Sequence, residues 1–275
     1  MIAPPIFPHV VPPLAVLTGG SSGIGLEFAR ILGVAGFRLI LVARDAARLS
    51  HAAASLAQET PAGVETRVVD LADAAAVDRL AAELGRLEVD LLVNNAGFGA
   101  YGPFRSGDAA RAAAMIDTNV RALTVLTRAV LPGMIARGQG RIVNVASTAA
   151  FAPGPFAAVY AATKAYVLSF SEAVNEELRE TRIRVTALCP GPTQTAFAAR
   201  AGMGDTRAFR GQQASARQVA EAGYRAMLAG KAVEVVGAGN RLMLLAVRLL
   251  PRALVTRLSR RAYAAQDEDE TDTAD

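Results

Sequence analysis

Seven short apolar runs punctuate the chain: LAVLT (14–18), RLILVA (38–43), VETRVVD (64–70), VDLLVN (89–94), RIVNVA (141–146), IRVTALC (183–189) and AVEVVG (232–237). Gly, Pro, Asn or charged residues bound each run, and alanine-rich stretches of helical period fill most intervals. Continuous apolar runs suit strands buried on both faces, and strand–helix alternation builds a parallel sheet covered by helices on both sides. The expected fold class is therefore α/β, a single doubly wound domain over residues 13–238 with a mostly parallel, seven-stranded sheet. No linker or internal repeat divides it. A length of 275 residues lies near the upper limit for one core, and 52% hydrophobic against 20% charged residues is too apolar for disorder.

Glycines 19, 20, 23 and 25 lie between the first run and the helical stretch after it, in LAVLTGGSSGIGLEFARIL. Glycine permits a tight turn and lets peptide N–H groups approach a phosphate, while the helix N-terminus adds the positive end of its dipole. That is the physics of a dinucleotide pyrophosphate site in a Rossmann domain, with Gly19, Ser21, Ser22, Gly23, Ile24 and Gly25 facing the cofactor. Two rival motifs fail here. GGSSG matches the G-x-S-x-G elbow of a serine hydrolase, but the only later histidine is His51, just after Asp45, and no later loop delivers a base. No G-K-[ST] follows the glycines, which excludes a P-loop nucleotidase. After the second run, LVARD presents Arg44, 19 residues beyond Gly25, and then Asp45. Arginine's planar fork suits the 2′-phosphate of NADP, whereas an acid would suit the ribose hydroxyls of NAD. NADP(H) is the expected cofactor, with a one-residue shift to Asp45 as the route to NAD.

Composition narrows the alternatives. Cys189 is the only cysteine, so an internal disulfide is excluded and a reducing, cytoplasmic location is expected. With two histidines, His9 and His51, no metal site is expected. Tryptophan is absent and aromatics make up 5%, so no stacking surface for nucleic acid is indicated. The opening MIAPPIFPHVVPP lacks a basic n-region and is broken by prolines, so residues 1–12 read as an extended leader and not a signal peptide. The last ten residues, QDEDETDTAD, hold six acids and no base, and 265–275 read as a disordered acidic tail.

AVYAATKAYVLSF places Tyr160 and Lys164 one helical turn apart, where a phenol and an ammonium can share a ligand. Alone, the pair is better read as an ordinary amphipathic helix face with a solvated lysine. Together with its surroundings it resembles the short-chain dehydrogenase/reductase family in its compact, single-domain branch, over about residues 12–237. The family's T-G-x-x-x-G-x-G turn corresponds to Thr18, Gly19, Gly23 and Gly25, and its adenine-binding acid to Asp70, followed by Leu71. N-N-A-G corresponds to Asn94, Asn95, Ala96 and Gly97. The asparagine, serine and Y-x-x-x-K of the catalytic set correspond to Asn119, Ser147, Tyr160 and Lys164. The proline-glycine element corresponds to Pro190 and Gly191, with Thr195 at the threonine position. Where members often carry valine this chain has Thr193, whose backbone N–H remains able to hold the nicotinamide carboxamide.

The resemblance implies an oxidoreductase that interconverts a carbonyl and a secondary alcohol. In it Tyr160 is the general acid/base and Lys164 lowers the phenol pKa and binds the nicotinamide ribose. Ser147 orients the carbonyl, and Asn119 steadies a proton-relay water. A different class, a non-catalytic NADP-binding sensor of the same fold, would be marked by a broken Tyr/Lys pair, and here the pair is intact. A sugar-nucleotide epimerase or dehydratase is opposed by chain length and by N-N-A-G.

The substrate would be set by loops 98–107, 148–157 and 192–214, with Phe98, Tyr101, Phe104, Phe151, Phe156, Phe197, Met203 and Phe209 suggesting an apolar pocket for a lipid-like or aromatic carbonyl. Residues 239–264 extend beyond the minimal fold and alternate Leu and Val with arginines 241, 248, 252, 257, 260 and 261. Three readings compete for 240–261: helices packed over the substrate loops, a homo-oligomer interface, or a basic amphipathic segment in peripheral contact with anionic lipid. The first two are the simpler. Small-molecule substrate and further copies of the chain are the expected partners.

Overall fold

The structure, a computed structural model, describes residues 12–211 and 213–264; the leader up to residue 11 and the acidic tail from 265 lie outside the described residues. Seven parallel strands form one sheet in the order β3-β2-β1-β4-β5-β6-β9. They are β1 (Leu14–Thr18), β2 (Arg38–Ala43), β3 (Val64–Val68), β4 (Val89–Asn94), β5 (Gly140–Val145), β6 (Ile183–Cys189) and, last in the order, β9 (Val233–Val235). The strands expected from the apolar runs are all present. Those at the two sheet edges, β3 and β9, are shorter than their runs, and each has a neighbour on one side only.

Helices cover both faces. Alternate residues of β1 point to opposite sides, Ala15 and Leu17 to one core and Leu14 and Val16 to the other. The first core is closed by α1 (Gly23–Val34), α2 (Ala46–Glu59) and α9 (Ala216–Leu228), through Phe28, Leu32, Leu56 and Met227. The second is closed by α3 (Ala74–Leu84) and α5 (Leu123–Arg137), through Leu80, Leu84, Leu126 and Met134. Each such fully buried side chain removes enough apolar surface from water to contribute roughly 1.5–3 kcal/mol. α4 (Ala109–Ile116) runs into α5 through a wide, π-helical turn, Asp117–Ala122. α6 (Ala158–Glu177) carries the Tyr160–Lys164 pair.

The sheet order reverses between β1 and β4, so loops after these two strands diverge and leave a crevice at the carboxyl edge. After β6 the chain makes a small second sheet, β7 (Thr193–Gln194) with β8 (Ala214–Ser215), enclosing α7 (Phe197–Ala201) and α8 (Arg207–Arg210). Beyond β9 come α10 (Ala238–Leu249) and α11 (Arg252–Tyr263), broken at Pro251, with Leu250 held extended as expected before proline. α10 packs on the turn Thr148–Phe151 and α11 on α8. Among the described residues no helix is long and apolar enough to cross a membrane.

Candidate active site

The glycine turn is shaped by close approach. Gly19 and Gly23 have φ of +66° and +57°, the left-handed region that disfavours other residues. At Gly25 an added Cβ would lie 2.4 Å from both the Gly19 carbonyl oxygen and Asn95 Nδ2. Asn95 Nδ2 donates to the carbonyls of Thr18 and Gly19, and the Thr18 hydroxyl accepts from the N–H groups of Asn95 and Ala96. N-N-A-G thus clamps the turn to β4. Asn94 faces the other way and links Thr127 and Asn144 inside the sheet. α1 begins at Gly23 with no side chain capping its first N–H groups. Those donors remain available to an anion, as a pyrophosphate requires.

At the end of β2, Arg44 lies exposed on the cleft wall. Asp45 is engaged elsewhere: its carboxylate caps α2, accepting from Arg48 N at 2.9 Å and Arg48 Nε at 2.6 Å. These bonds, the backbone N–H foremost, hold its carboxyl below the usual range. Arg48 also lines the cleft, a second guanidinium that the sequence reading missed. Asp70 accepts from Ala72 N at 3.0 Å, while the cap of α3 is Asp73. Leu71 is buried in the core and also lines the cleft.

On the opposite wall, Tyr160 is 8% exposed and its ring lies 5.3 Å from that of Phe197. Lys164 is buried; its Nζ donates to the Val145 carbonyl at 2.7 Å and lies 5.9 Å from the centre of the Tyr160 ring. Ser147 follows β5, accepts from Ala149 N at 3.1 Å, and borders the same cleft as Tyr160. Asn119, in the wide turn, is buried with its side chain committed: Nδ2 donates to Phe98 O and Thr163 Oγ1, and Oδ1 accepts from Phe98 N. It joins the loop after β4 to α6. Both amide hydrogens of its side chain are thereby committed within the protein.

The electrostatics correct one expectation. Lys164 was expected to draw the Tyr160 phenol down, but burial dominates and pushes that pKa well up; the Ser147 side chain opposes and the nearby Tyr263 adds to the rise. Burial likewise brings Lys164 down to about 8, with Cys189 opposing. The two groups share a dry pocket in which either charge is costly.

Gly19, Ser21, Ser22, Gly23, Ile24, Arg44, Asp70, Leu71, Asn95, Ala96, Gly97, Ser147, Tyr160, Lys164, Pro190, Gly191, Thr193 and Thr195 all border one cleft of about 950 Å³. Gly25 and Asn119 stand just behind it, shaping the turn and the loop. Of the expected substrate-loop side chains, Phe98, Phe197, Met203 and Phe209 line the cleft. Tyr101, Phe104, Phe151 and Phe156 do not. Phe104 is 74% exposed, and Phe151 packs on the core beneath α6. Tyr101 donates its hydroxyl to the Tyr263 carbonyl at 2.6 Å, and Arg260 lies over the Phe156 ring. These contacts seat α11 so that its Tyr263, Ser259 and Ala262, with Met243, Leu244 and Val247 of α10, complete the wall. Asn240 also enters, so close to Gly191 that a Cβ there would lie 2.5 Å from its Nδ2.

A profile of the short chain dehydrogenase family matches residues 13–205. The chain belongs to this family. It is similar to a very-long-chain 3-oxoacyl-CoA reductase of Laccaria bicolor, 39% identical over 178 residues, which cover 63% of this chain and 53% of that enzyme. The chain thus matches about half the length of that relative. Among solved structures, a short-chain dehydrogenase from Sphingobium yanoikuyae in complex with NADPH superposes with a TM-score of 0.78 at 32% identity, over 86% of this chain and 93% of that one. A family member from Burkholderia phymatum in complex with NAD superposes at 0.77 and 28% identity, over 87% and 92% of the two chains. This chain is accordingly an oxidoreductase of the short-chain dehydrogenase family, a class that uses NAD(P)(H).

Proposed function

We propose that this chain is an NADP(H)-dependent oxidoreductase that reduces a carbonyl on a lipid-like or other apolar substrate to the secondary alcohol, with Tyr160 as the general acid. The observation that carries this reading is the convergence on one cleft of the glycine turn, the free Arg44 and the Ser147–Tyr160–Lys164 cluster. The residues fit the cofactor. The uncapped start of α1 and the glycines 19 and 23 would hold the pyrophosphate, Asp70 the adenine, and Arg44 with Arg48 the 2′-phosphate. Lys164 would hold the nicotinamide ribose, with the loop from Pro190 to Thr195 along the nicotinamide. The bound dinucleotide supplies the hydride.

The protein's part is proton supply and orientation. Burial keeps the Tyr160 phenol protonated at neutral pH, which is the state needed to donate a proton to an oxygen gaining negative charge. Ser147, on the same cleft wall, would present a second donor to that oxygen and fix the carbonyl between the two. Lys164, still largely charged at neutral pH, stabilises the phenolate left behind. The same groups serve the reverse reaction, in which the phenolate beside Lys164 takes the proton back from the alcohol.

The apolar substrate class is supported by Phe98, Phe197, Met203, Phe209, Leu244 and Val247 on the wall beyond Tyr160 and by the acyl substrate of the Laccaria relative. Tyr160→Phe tests the assignment. The ring contact with Phe197 survives, so folding and NADPH binding stay near parental, while carbonyl reduction falls by ~10²–10⁴-fold, the usual worth of a general acid. Retained turnover of any confirmed substrate removes Tyr160 from the proton transfer.

A further inference from the structure

The inner faces of α10 and α11 line the cleft, while their outer faces are large and uncovered among the described residues. In α10, Leu242, Leu245 and Leu249 recur at three- and four-residue spacing on the side opposite buried Leu244; Leu242 is 70% and Leu249 86% exposed. In α11, Leu254 and Leu258 lie one turn apart on the flank beside buried Val255, 41% and 44% exposed. Isolated exposed leucines are ordinary, whereas three on one helix face followed by two more on the next helix mark a contact surface. The flanks carry arginines 241, 248, 252, 257, 260 and 261, and residues 238–264 contain no Asp or Glu. Arg241 is paired with Glu234 at 2.6 Å and Arg260 covers Phe156, while Arg248, Arg252, Arg257 and Arg261 stand exposed.

We propose that the α10–α11 hairpin is a docking surface for an anionic lipid bilayer, with its leucines inserted at the headgroup boundary and its arginines against the lipid phosphates. An apolar stripe bordered only by cations matches the interfacial zone of a bilayer, where both parts find complementary partners at once. The charge distribution disfavours the other occupants. A second copy would cover the leucines but bring two arginine-rich faces together. The acidic segment QDEDETDTAD could answer the arginines, yet it offers no apolar side chain larger than alanine to cover the leucines. Because Met243, Leu244, Val247 and Tyr263 of the same hairpin line the cleft, docking would set the cleft mouth beside the bilayer, where apolar substrates partition. The proposal concerns binding to lipid and stands apart from the oxidoreductase reading.

Co-sedimentation of the full chain with phosphatidylglycerol-rich and with pure phosphatidylcholine vesicles, at low and high salt, tests it. The parent is expected to bind the anionic vesicles at least tenfold more tightly and to lose most of that preference in high salt. Leu245→Gln with Leu249→Gln, both solvent-facing and outside the cleft, should weaken binding at least tenfold on anionic vesicles. Arg248→Gln, Arg257→Gln and Arg261→Gln together should weaken it about fivefold per arginine and leave the phosphatidylcholine result unchanged. Thermal melting and NADPH affinity near parental values show that each variant is folded. Failure of the parent to bind, equal binding to both vesicle types, or parental binding by the leucine variant overturns the proposal. So does a dimer, seen by light scattering, that the leucine substitutions dissociate while vesicle binding is absent.

Discussion

Replacing Arg44 by alanine separates the two nicotinamide cofactors on structural grounds. Arg44 projects from the end of β2 into the cleft. The neighbouring acid is bound to Arg48 through two hydrogen bonds of 2.9 and 2.6 Å, so ribose hydroxyls would have to share it with Arg48. A hydrogen bond between charged partners contributes roughly 1.5–3 kcal/mol, and Arg44 is exposed enough that the lower half of that range applies. At about 1.4 kcal/mol per decade, Arg44→Ala should raise the NADPH Kd about 10- to 40-fold. The NADH Kd should change less than threefold, since that cofactor has no 2′-phosphate. Arg48→Ala should cost NADPH less, because Arg48 is already shared with Asp45. Titration of reduced-nicotinamide fluorescence with parent and variants measures both constants. Equal losses for the two cofactors, or a parent that binds NADH more tightly, would refute the role given to Arg44.

Gly25→Ala should behave differently: its Cβ would lie 2.4 Å from Gly19 O and Asn95 Nδ2, so the turn must shift and both cofactors should weaken alike, by tenfold or more in calorimetric titration. The buried lysine predicts a pH signature of stability. Its folded pKa, about 8, is below the ordinary 10.5, so between these values the unfolded chain holds a proton that the folded chain has released. Stability from this group therefore rises with pH through that window. Urea unfolding of Lys164→Met should lack this rise, and a parental profile in the variant would place the titration elsewhere.

Much of this molecule can be read from its residues, but unevenly. The central strands are unmistakable because β1, β4, β5 and β6 are rich in apolar residues, and they are buried at almost every position. Edge strands are less plainly written: β3 has a neighbour on one side only, and its Val68 is 58% exposed. The glycine turn and the Ser147, Tyr160 and Lys164 positions were legible as local spacing, since each hangs on the end of a strand or one helical turn. What was illegible depends on long-range placement. Nothing near Asp45 says that Arg48 will occupy it in preference to a ligand, and nothing in YAATK reports that burial outweighs the lysine charge at the phenol. Tyr263 and Leu244 reach the cleft only because Tyr101, Phe156 and the Thr148–Phe151 turn seat the last two helices, contacts between segments remote in sequence. The loop side chains divided accordingly: Phe98, Phe197, Met203 and Phe209 face the cleft, Tyr101, Phe151 and Phe156 pack elsewhere, and Phe104 is exposed.

The central claim, that this cleft passes a hydride from NADPH to a carbonyl while Tyr160 supplies the proton, is tested most directly by isotope transfer. Stereospecifically C4-deuterated NADPH is incubated with the parent protein and a panel of apolar ketones and 3-oxoacyl thioesters, and the alcohols are analysed by mass spectrometry. The account predicts one deuterium at the carbinol carbon from one C4 epimer only, and loss of that product in Tyr160→Phe. Alcohol formed without deuterium from either epimer, or no alcohol from any member of the panel despite tight NADPH binding, would contradict it.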